Sequence, residues 1–264
     1  MASIAELEKI VPQVRRDIVR MVHAVNSGHP GGSLGCADYF TALYFKILRF
    51  QPKLFNMDGI DEDLFFLSNG HISPVWYSTL ARCNFFPTEE LKTFRFLNTR
   101  LQGHPTTHEH LPGIRVASGS LGQGMSVACG AAFTKRMNGE KNIVWCLCGD
   151  GELDEGQNWE AIMFAAHNKV DNYIATVDVN GQQIDGPLSK VLNLDNLEEK
   201  FKAFHWTVLH MDGHNMDEIV TTLEKAKGLT GKGKPVVILM KTTMGKGVDF
   251  METGHEWHGI APND

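Results

Sequence analysis

The sequence predicts an α/β fold, a parallel β-sheet with helices on both faces, and three observations point to it. Short apolar runs of strand length alternate with longer segments of helical periodicity. Two of those runs end in turn residues bearing side-chain oxygens, Gly149-Asp150-Gly151 and Asp178-Val179-Asn180-Gly181. They lie about thirty residues apart, the length of one βαβ unit with a right-handed crossover. No Pro-, Gly- and Ser-rich linker and no internal repeat divides the 264 residues, so residues 1–264 are expected to form a single domain.

Taken in order, the apolar positions Leu7, Ile10, Val11, Val14, Ile18, Met21 and Val22 recur at helical spacing and predict a helix over Ala5–Val25, its arginines forming a solvated face. Asn26-Ser27-Gly28 is a stop signal. His29 follows in a loop with Pro30 and two glycines, where a lone histidine is ordinarily solvent-facing. Ser33–Leu48 reads as a mostly apolar, buried helix. Leu64–Leu67 is short enough for a buried strand, and Asn69-Gly70 breaks it. His71 therefore stands at a strand's carboxyl end, the edge at which parallel sheets bind ligands, with a helix expected over Pro74–Arg82.

Thr88–Leu97 reads as a short helix with Thr88 as N-cap and Glu89 and Glu90 in its first turn. The polar loop that follows, to Gly113, holds His104, His108 and His110, which invite a zinc reading but offer no fourth ligand and no regular spacing. Gly119–Gly124 has the glycines to expose backbone amides at the start of an apolar helix, Met125–Met137, a second anion-favouring terminus. The central unit runs from a strand at Ile143–Cys148 through a helix over about Leu153–His167 to a strand at Tyr173–Val177. Beyond it come a helix at Leu194–Phe204, a strand at Trp206–His210, a helix at Met216–Leu229 and a strand at Pro235–Met240. The tail from Asp249 carries Phe250, Trp257 and Ile260, which predict that it packs down.

Composition narrows the classes of function. With 42% apolar residues the chain is that of a globular protein, and a net charge of −6 with scattered lysines and arginines gives no nucleic-acid footprint. Five cysteines, an odd number, point to a reducing compartment, with Cys146 and Cys148 on one face of a strand as buried small hydrophobes. The N-terminal residues lack a secretory apolar core, and no run is long enough to span a membrane, so a cytoplasmic location is expected. The glycines at Gly231 and Gly245 do not complete a P-loop, and no Gly-x-Gly-x-x-Gly follows the first strand.

The chemistry gathers at the two oxygen-bearing strand ends. Asp150 and Asn180 are hard-oxygen ligands suited to magnesium or calcium. The glycines flanking Asp150 let the backbone approach a phosphate. A hard cation beside free amides is a diphosphate site.

Gly149-Asp150-Gly151, about thirty residues, then Asn180 resembles the diphosphate and metal motif of thiamine-diphosphate enzymes. Ser27-Gly28-His29-Pro30-Gly31, Ser68-Asn69-Gly70-His71, Gly103-His104-Pro105, Ser118-Gly119-Ser120-Leu121-Gly122-Gln123-Gly124 and Trp257-His258-Gly259 all resemble transketolase segments, in that family's order. The resemblance covers nearly the whole chain, and only the N-terminal, diphosphate-binding half of a transketolase. It implies the diphosphate-binding type of the thiamine-diphosphate-binding fold. The pyrimidine-binding and C-terminal domains, with the glutamate that activates the cofactor and most sugar-phosphate contacts, are then expected on a partner chain, the transketolase C-terminal subunit, in an α2β2 assembly.

By the same resemblance, Asp150, Asn180 and the Gln182 carbonyl would hold Mg2+, with Ca2+ or Mn2+ able to stand in its place. His71, Gly119, Ser120, Leu121, Gly151, Glu152, Asn180, Ile184 and His258 would surround thiamine diphosphate. His29, His104 and His258 would serve catalysis, and Glu155 and Glu160 resemble carboxylates that meet across a dimer interface. Some family members have lysine where Met244 stands. The implied reaction moves a two-carbon ketol unit between a ketose phosphate and an aldose phosphate. The alternatives are a transketolase for a non-standard sugar, a 1-deoxyxylulose-phosphate-synthase-like enzyme, a dehydrogenase subunit or a non-enzymatic α/β module.

Overall fold

A computed structural model describes residues 2–264. Its helices are α1 (Ile4–Ala24), α2 (Pro30–Gly35), α3 (Ala37–Ala42), α4 (Ser73–Arg82), α5 (Gly124–Met137), α6 (Gly156–His167), α7 (Leu197–Ala203) and α8 (Met216–Leu229). Its strands are β1 (Leu64–Leu67), β2 (Val144–Gly149), β3 (Tyr173–Val179), β4 (Gln182–Gln183), β5 (Gly186–Pro187), β6 (Thr207–Asp212) and β7 (Val236–Lys241). Five strands pair in parallel in the order β1-β2-β3-β7-β6, and β4 and β5 form a small antiparallel hairpin beyond the tip of β3.

Side-chain alternation along the strands splits the interior into two layers. Phe65, Leu67, Trp145, Leu147, Ile174, Ile238 and Met240 point to one face, under α1, α3, α4 and α8. Phe66, Val144, Cys146, Cys148, Ala175, Val177 and Val237 point to the other, under α5, α6 and α7. Helices therefore cover both faces, as the continuous apolar strand runs require. Cys146 and Cys148 share the second layer and are free thiols, fully buried.

The helices differ in instructive ways from the sequence expectations. α1 starts a residue earlier because Ser3 and Glu6 form a reciprocal capping box. Its arginine face is not wholly solvated: Arg15 pairs with Asp38, and the buried Asp17 takes Arg82 at 2.7 Å. The helix expected over Ser33–Leu48 begins at Pro30, breaks at Cys36 and ends in a π turn over Leu43–Ile47. The helix expected over Thr88–Leu97 is a 3-10 turn over Thr88–Thr93 without a side-chain cap. It stops because Phe94 leaves helical geometry, with ψ 127°, and Arg95 is left-handed, with φ +57°. α7 starts at Leu197 rather than Leu194, since the Asn196 side chain caps it. In the tail Trp257 packs against the core, whereas Phe250 and Ile260 stay exposed, at 54% and 56%.

Candidate active site

The carboxyl ends of four neighbouring strands, β1, β2, β3 and β7, converge on one cleft of about 300 Å³. β1 delivers Asn69 and His71, β2 Asp150, β3 Asn180, and β7 Met244. His29, His104 and His258 enter from loops far apart in the chain. Parallel sheets gather ligands at this edge because successive crossovers bring every strand's last residue to the same side.

Asp150 and Asn180 are brought together as the βαβ spacing implied. Asp150 accepts from the Gly151 amide at 2.8 Å and the Gly181 amide at 2.7 Å. Asn180 Oδ1 accepts from the Gln182 amide at 2.9 Å, and Asn180 Nδ2 donates to Asp178 at 2.8 Å. Burial, and then the neighbouring Asp178 charge, push the Asp150 carboxyl up from 3.8 to about 7. Burial raises Asp178 as well, opposed first by its hydrogen bond from Thr242. The Gln182 and Asn69 side-chain oxygens are buried without a partner among the described residues.

Two raised carboxyls beside unpartnered oxygens form a donor set short of a cation, and hard oxygens suit magnesium. The oxygen donors present therefore fit a divalent ion, while the Gly151 and Gly181 amides expected to lie free beside it are taken by Asp150. Asp150, Asn180 and the Gln182 carbonyl would hold the metal. Among the described residues no cluster of three or more His, Cys, Asp and Glu side chains forms a separate metal site. Of the loop histidines that invited a zinc reading, His104 lines the cleft and His108 and His110 do not.

Two glycine-rich segments are arranged otherwise than expected. A 3-10 turn over Gly151–Asp154 follows Asp150, and α6 begins only at Gly156, so no α-helix starts directly behind the aspartate. Ahead of α5 the Gly122 amide donates to Glu152 at 2.8 Å, while the helix start itself carries no side-chain cap. That amide cannot meet an anion while the bond stands. The same carboxylate takes the Gly149 amide at 3.1 Å and the Ser68 hydroxyl. Glu152 borders the cleft, and its oxygens knit three loops together.

Gly119 and Leu121 line the cleft while Ser120 is exposed beside them. Gly119 is left-handed, φ +124°, and a Cβ there would meet the His104 ring at 2.5 Å, so both conformation and space exclude a side chain. Gly151 and the Gln182, Gln183 and Ile184 side of the hairpin close the opposite wall, with Ile184 62% exposed at its tip. Glu155 and Glu160 lie outside the cleft, exposed on α6 and its entry.

The four histidines form one cluster. Ring centroids are 5.1 Å apart for His29–His71, 5.6 Å for His29–His258, 6.0 Å for His29–His104 and 5.1 Å for His71–His258. Burial, then the His258 charge, lowers His29 from 6.5 to about 4. Burial also lowers His71 strongly, and His104 and His258 less. All four shifts run in one direction, toward the neutral ring. They are neutral imidazoles, each able to donate at one nitrogen and accept at the other. Nδ1 of His29 and of His258 is buried without a partner among the described residues.

Sequence reasoning passed over Asp178, Asn69 and Gln183. The one signal for Asp178 was its place directly after the apolar run Tyr173–Val177; its position inside β3 and its partner Thr242 were not readable there. No such signal marks Asn69 or Gln183.

Sheet, strand tips and neutral histidine cluster define a ligand-binding α/β domain whose site lies at the carboxyl edge of a parallel sheet. The model of the transketolase thiamine-diphosphate-binding domain matches residues 7–264, and the chain belongs to that family. It is 41% identical over 239 residues to the 6-deoxy-6-sulfo-D-fructose transketolase subunit SqwG of Clostridium sp. (strain MSTE9), covering 90% of this chain and 85% of that protein. It is 36% identical over 261 residues to an apulose-4-phosphate transketolase subunit of Actinobacillus succinogenes, covering 98% and 92%. Transketolase from Campylobacter jejuni superposes with a TM-score of 0.88 at 35% identity, covering 98% of this chain. A Pichia stipitis transketolase complex with sedoheptulose 7-phosphate gives 0.90 at 32%. The chain spans 41% and 39% of those two crystallised chains.

Proposed function

We propose that this chain is the thiamine-diphosphate-binding subunit of a two-chain, Mg2+-dependent transketolase that moves a two-carbon ketol unit from a ketose phosphate to an aldose phosphate in the cytoplasm. The observation that carries the reading is the meeting of the Asp150 and Asn180 loops opposite four neutral histidines in one cleft. Near-full coverage of subunit-type relatives, against about two-fifths of crystallised transketolase chains, supports the two-chain form.

Thiamine diphosphate supplies carbanion stabilisation when bound. Asp150, Asn180 and the Gln182 carbonyl hold the metal; Gly119, Ser120, Leu121, Gly151, Ile184 and His71 surround the cofactor, with Glu152 setting the loops. His29 and His258, each with a free Nδ1, take and return the proton of a substrate hydroxyl, and His104 binds a donor hydroxyl. The partner chain brings the missing carboxylate and most sugar-phosphate contacts. Val127, Met163 and Phe164 are 42%, 55% and 46% exposed on α5 and α6 near Glu155 and Glu160, an apolar strip suited to self-association into α2β2.

Mixing the chain with its partner, thiamine diphosphate and Mg2+ tests the reading. Ketol transfer that needs all four supports it, and sustained transfer without the partner contradicts it. A second reading, a transketolase for a non-standard sugar, draws on the names of the two subunit relatives, which specify a sulfo-sugar and a branched sugar phosphate. Rates of the same pair with xylulose 5-phosphate, apulose 4-phosphate and 6-deoxy-6-sulfofructose separate the two.

A further inference from the structure

Arg95 is half-buried, yet no carboxylate pairs with it among the described residues. Arg15, Arg82, Arg100 and Arg115 each have one. Nη1 of Arg95 donates to Ser27 Oγ at 2.9 Å, and its Nε is buried without a partner. The guanidinium also lies directly against Gly103, where an added Cβ would meet it at 2.6 Å. Its own backbone is left-handed, φ +57°, and closes the loop through a 2.9 Å bond from its amide to the Leu101 carbonyl. A non-glycine residue in that region costs free energy and persists only where surrounding contacts demand it.

Both neighbours lead to the cleft. Ser27 is two residues before His29, and Gly103 immediately precedes His104. We propose that Arg95 is a positioning residue, wedged between the Ser27–His29 turn and the Gly103–His104 segment, that sets the separation of His29 and His104. The positioning follows from the contacts alone; its effect on catalysis rests on the ketol-transfer reading. Its unpaired positive charge has a second effect, since it disfavours protonation of both rings. His29 faces His71, His104 and His258 as well as Arg95, whereas Arg95 acts on His104 but is not among the causes that shift His71 or His258.

The test is an NMR titration of the full chain labelled at its histidine rings. It compares wild type with Arg95→Met, Arg95→Lys, Gly103→Ala and the double variant Arg95→Met/Gly103→Ala. In Arg95→Met the midpoints of His29 and His104 rise, by on the order of half a unit or more, while His258 holds and His71, which feels both rings, does not rise. Gly103→Ala, whose Cβ displaces the guanidinium, does the same, and the double variant moves them no further than Arg95→Met. Arg95→Lys keeps the charge without the fork and gives intermediate midpoints. In the reconstituted holoenzyme, kcat of Arg95→Met falls about tenfold or more with cofactor affinity unchanged. Unmoved midpoints in both single variants overturn the proposal, and so does a joint shift of all four rings, which marks general loosening. The ring shifts without ketol transfer in the wild-type pair would support the positioning role and count against the functional reading.

Discussion

The Gly181 amide donates to Asp150 Oδ2 at 2.7 Å, tying the tip of β3 to the tip of β2. This bond brings the two oxygen-bearing turns together at one cleft. It also confines the Asp150 carboxylate beside Asp178, so assembling the site concentrates negative charge.

Stability of the cofactor-free chain should depend on pH at both ends. Asp150 moves from 3.8 to about 7 on folding, so the neutral acid is favoured in the fold and stability is lost as pH rises through that interval. His29 moves from 6.5 to about 4, so stability is lost as pH falls through that interval. Thermal unfolding of Asp150→Asn should match wild type only below about pH 4 and exceed it by several degrees above pH 7. An Asp150→Asn melting point at or below wild type at pH 8 would exclude the buried-charge explanation.

Asp178 should act through Asn180. Its carboxylate holds the Asn180 amide and takes the Thr242 hydroxyl, which fixes the end of Asn180 that is left to a metal. Asp178→Ala should weaken Mg2+-dependent cofactor binding by about 10- to 100-fold, the range seen when an outer partner of a metal ligand is removed. Calorimetric titration of the full chain reads this; unchanged affinity would show that Asn180 orients itself.

Glu152 should prove a structural keystone whatever ligand is present. Glu152→Ala strands two amides and the Ser68 hydroxyl in a buried place and should cost about 3 kcal/mol or more in urea unfolding without cofactor. A loss seen only in the presence of cofactor would instead give Glu152 to ligand binding.

The apolar strip on α5 and α6 should mediate association between copies. Phe164→Glu places a charge in it and should lower the assembly mass in sedimentation while leaving the circular dichroism of the chain intact. Unaltered mass would move the interface elsewhere.

Much of this architecture was legible because its signals are local. An apolar run ended by Gly-Asp-Gly or Asn-Gly marks a buried strand and its tip without tertiary information, and the real edges of β2 and β3 fall within two residues of expectation. What was illegible depends on distant partners. Asp178 reads as a turn residue until Thr242, just past the end of β7, is seen to hold it inside the strand. The break at Cys36 and the 3-10 turn before Arg95 follow from packing that no periodicity records. His71 was legible from its place after a strand end, and His29, His104 and His258 only through family resemblance, since a loop histidine carries no sign of the others around it.

Calorimetry of thiamine diphosphate binding to the wild-type chain and to Asp150→Ala, each with and without Mg2+, tests the central claim most directly. Wild type should bind only when the ion is present, and Asp150→Ala should bind in neither condition while keeping its fold. Equal, metal-independent binding by both proteins would contradict it.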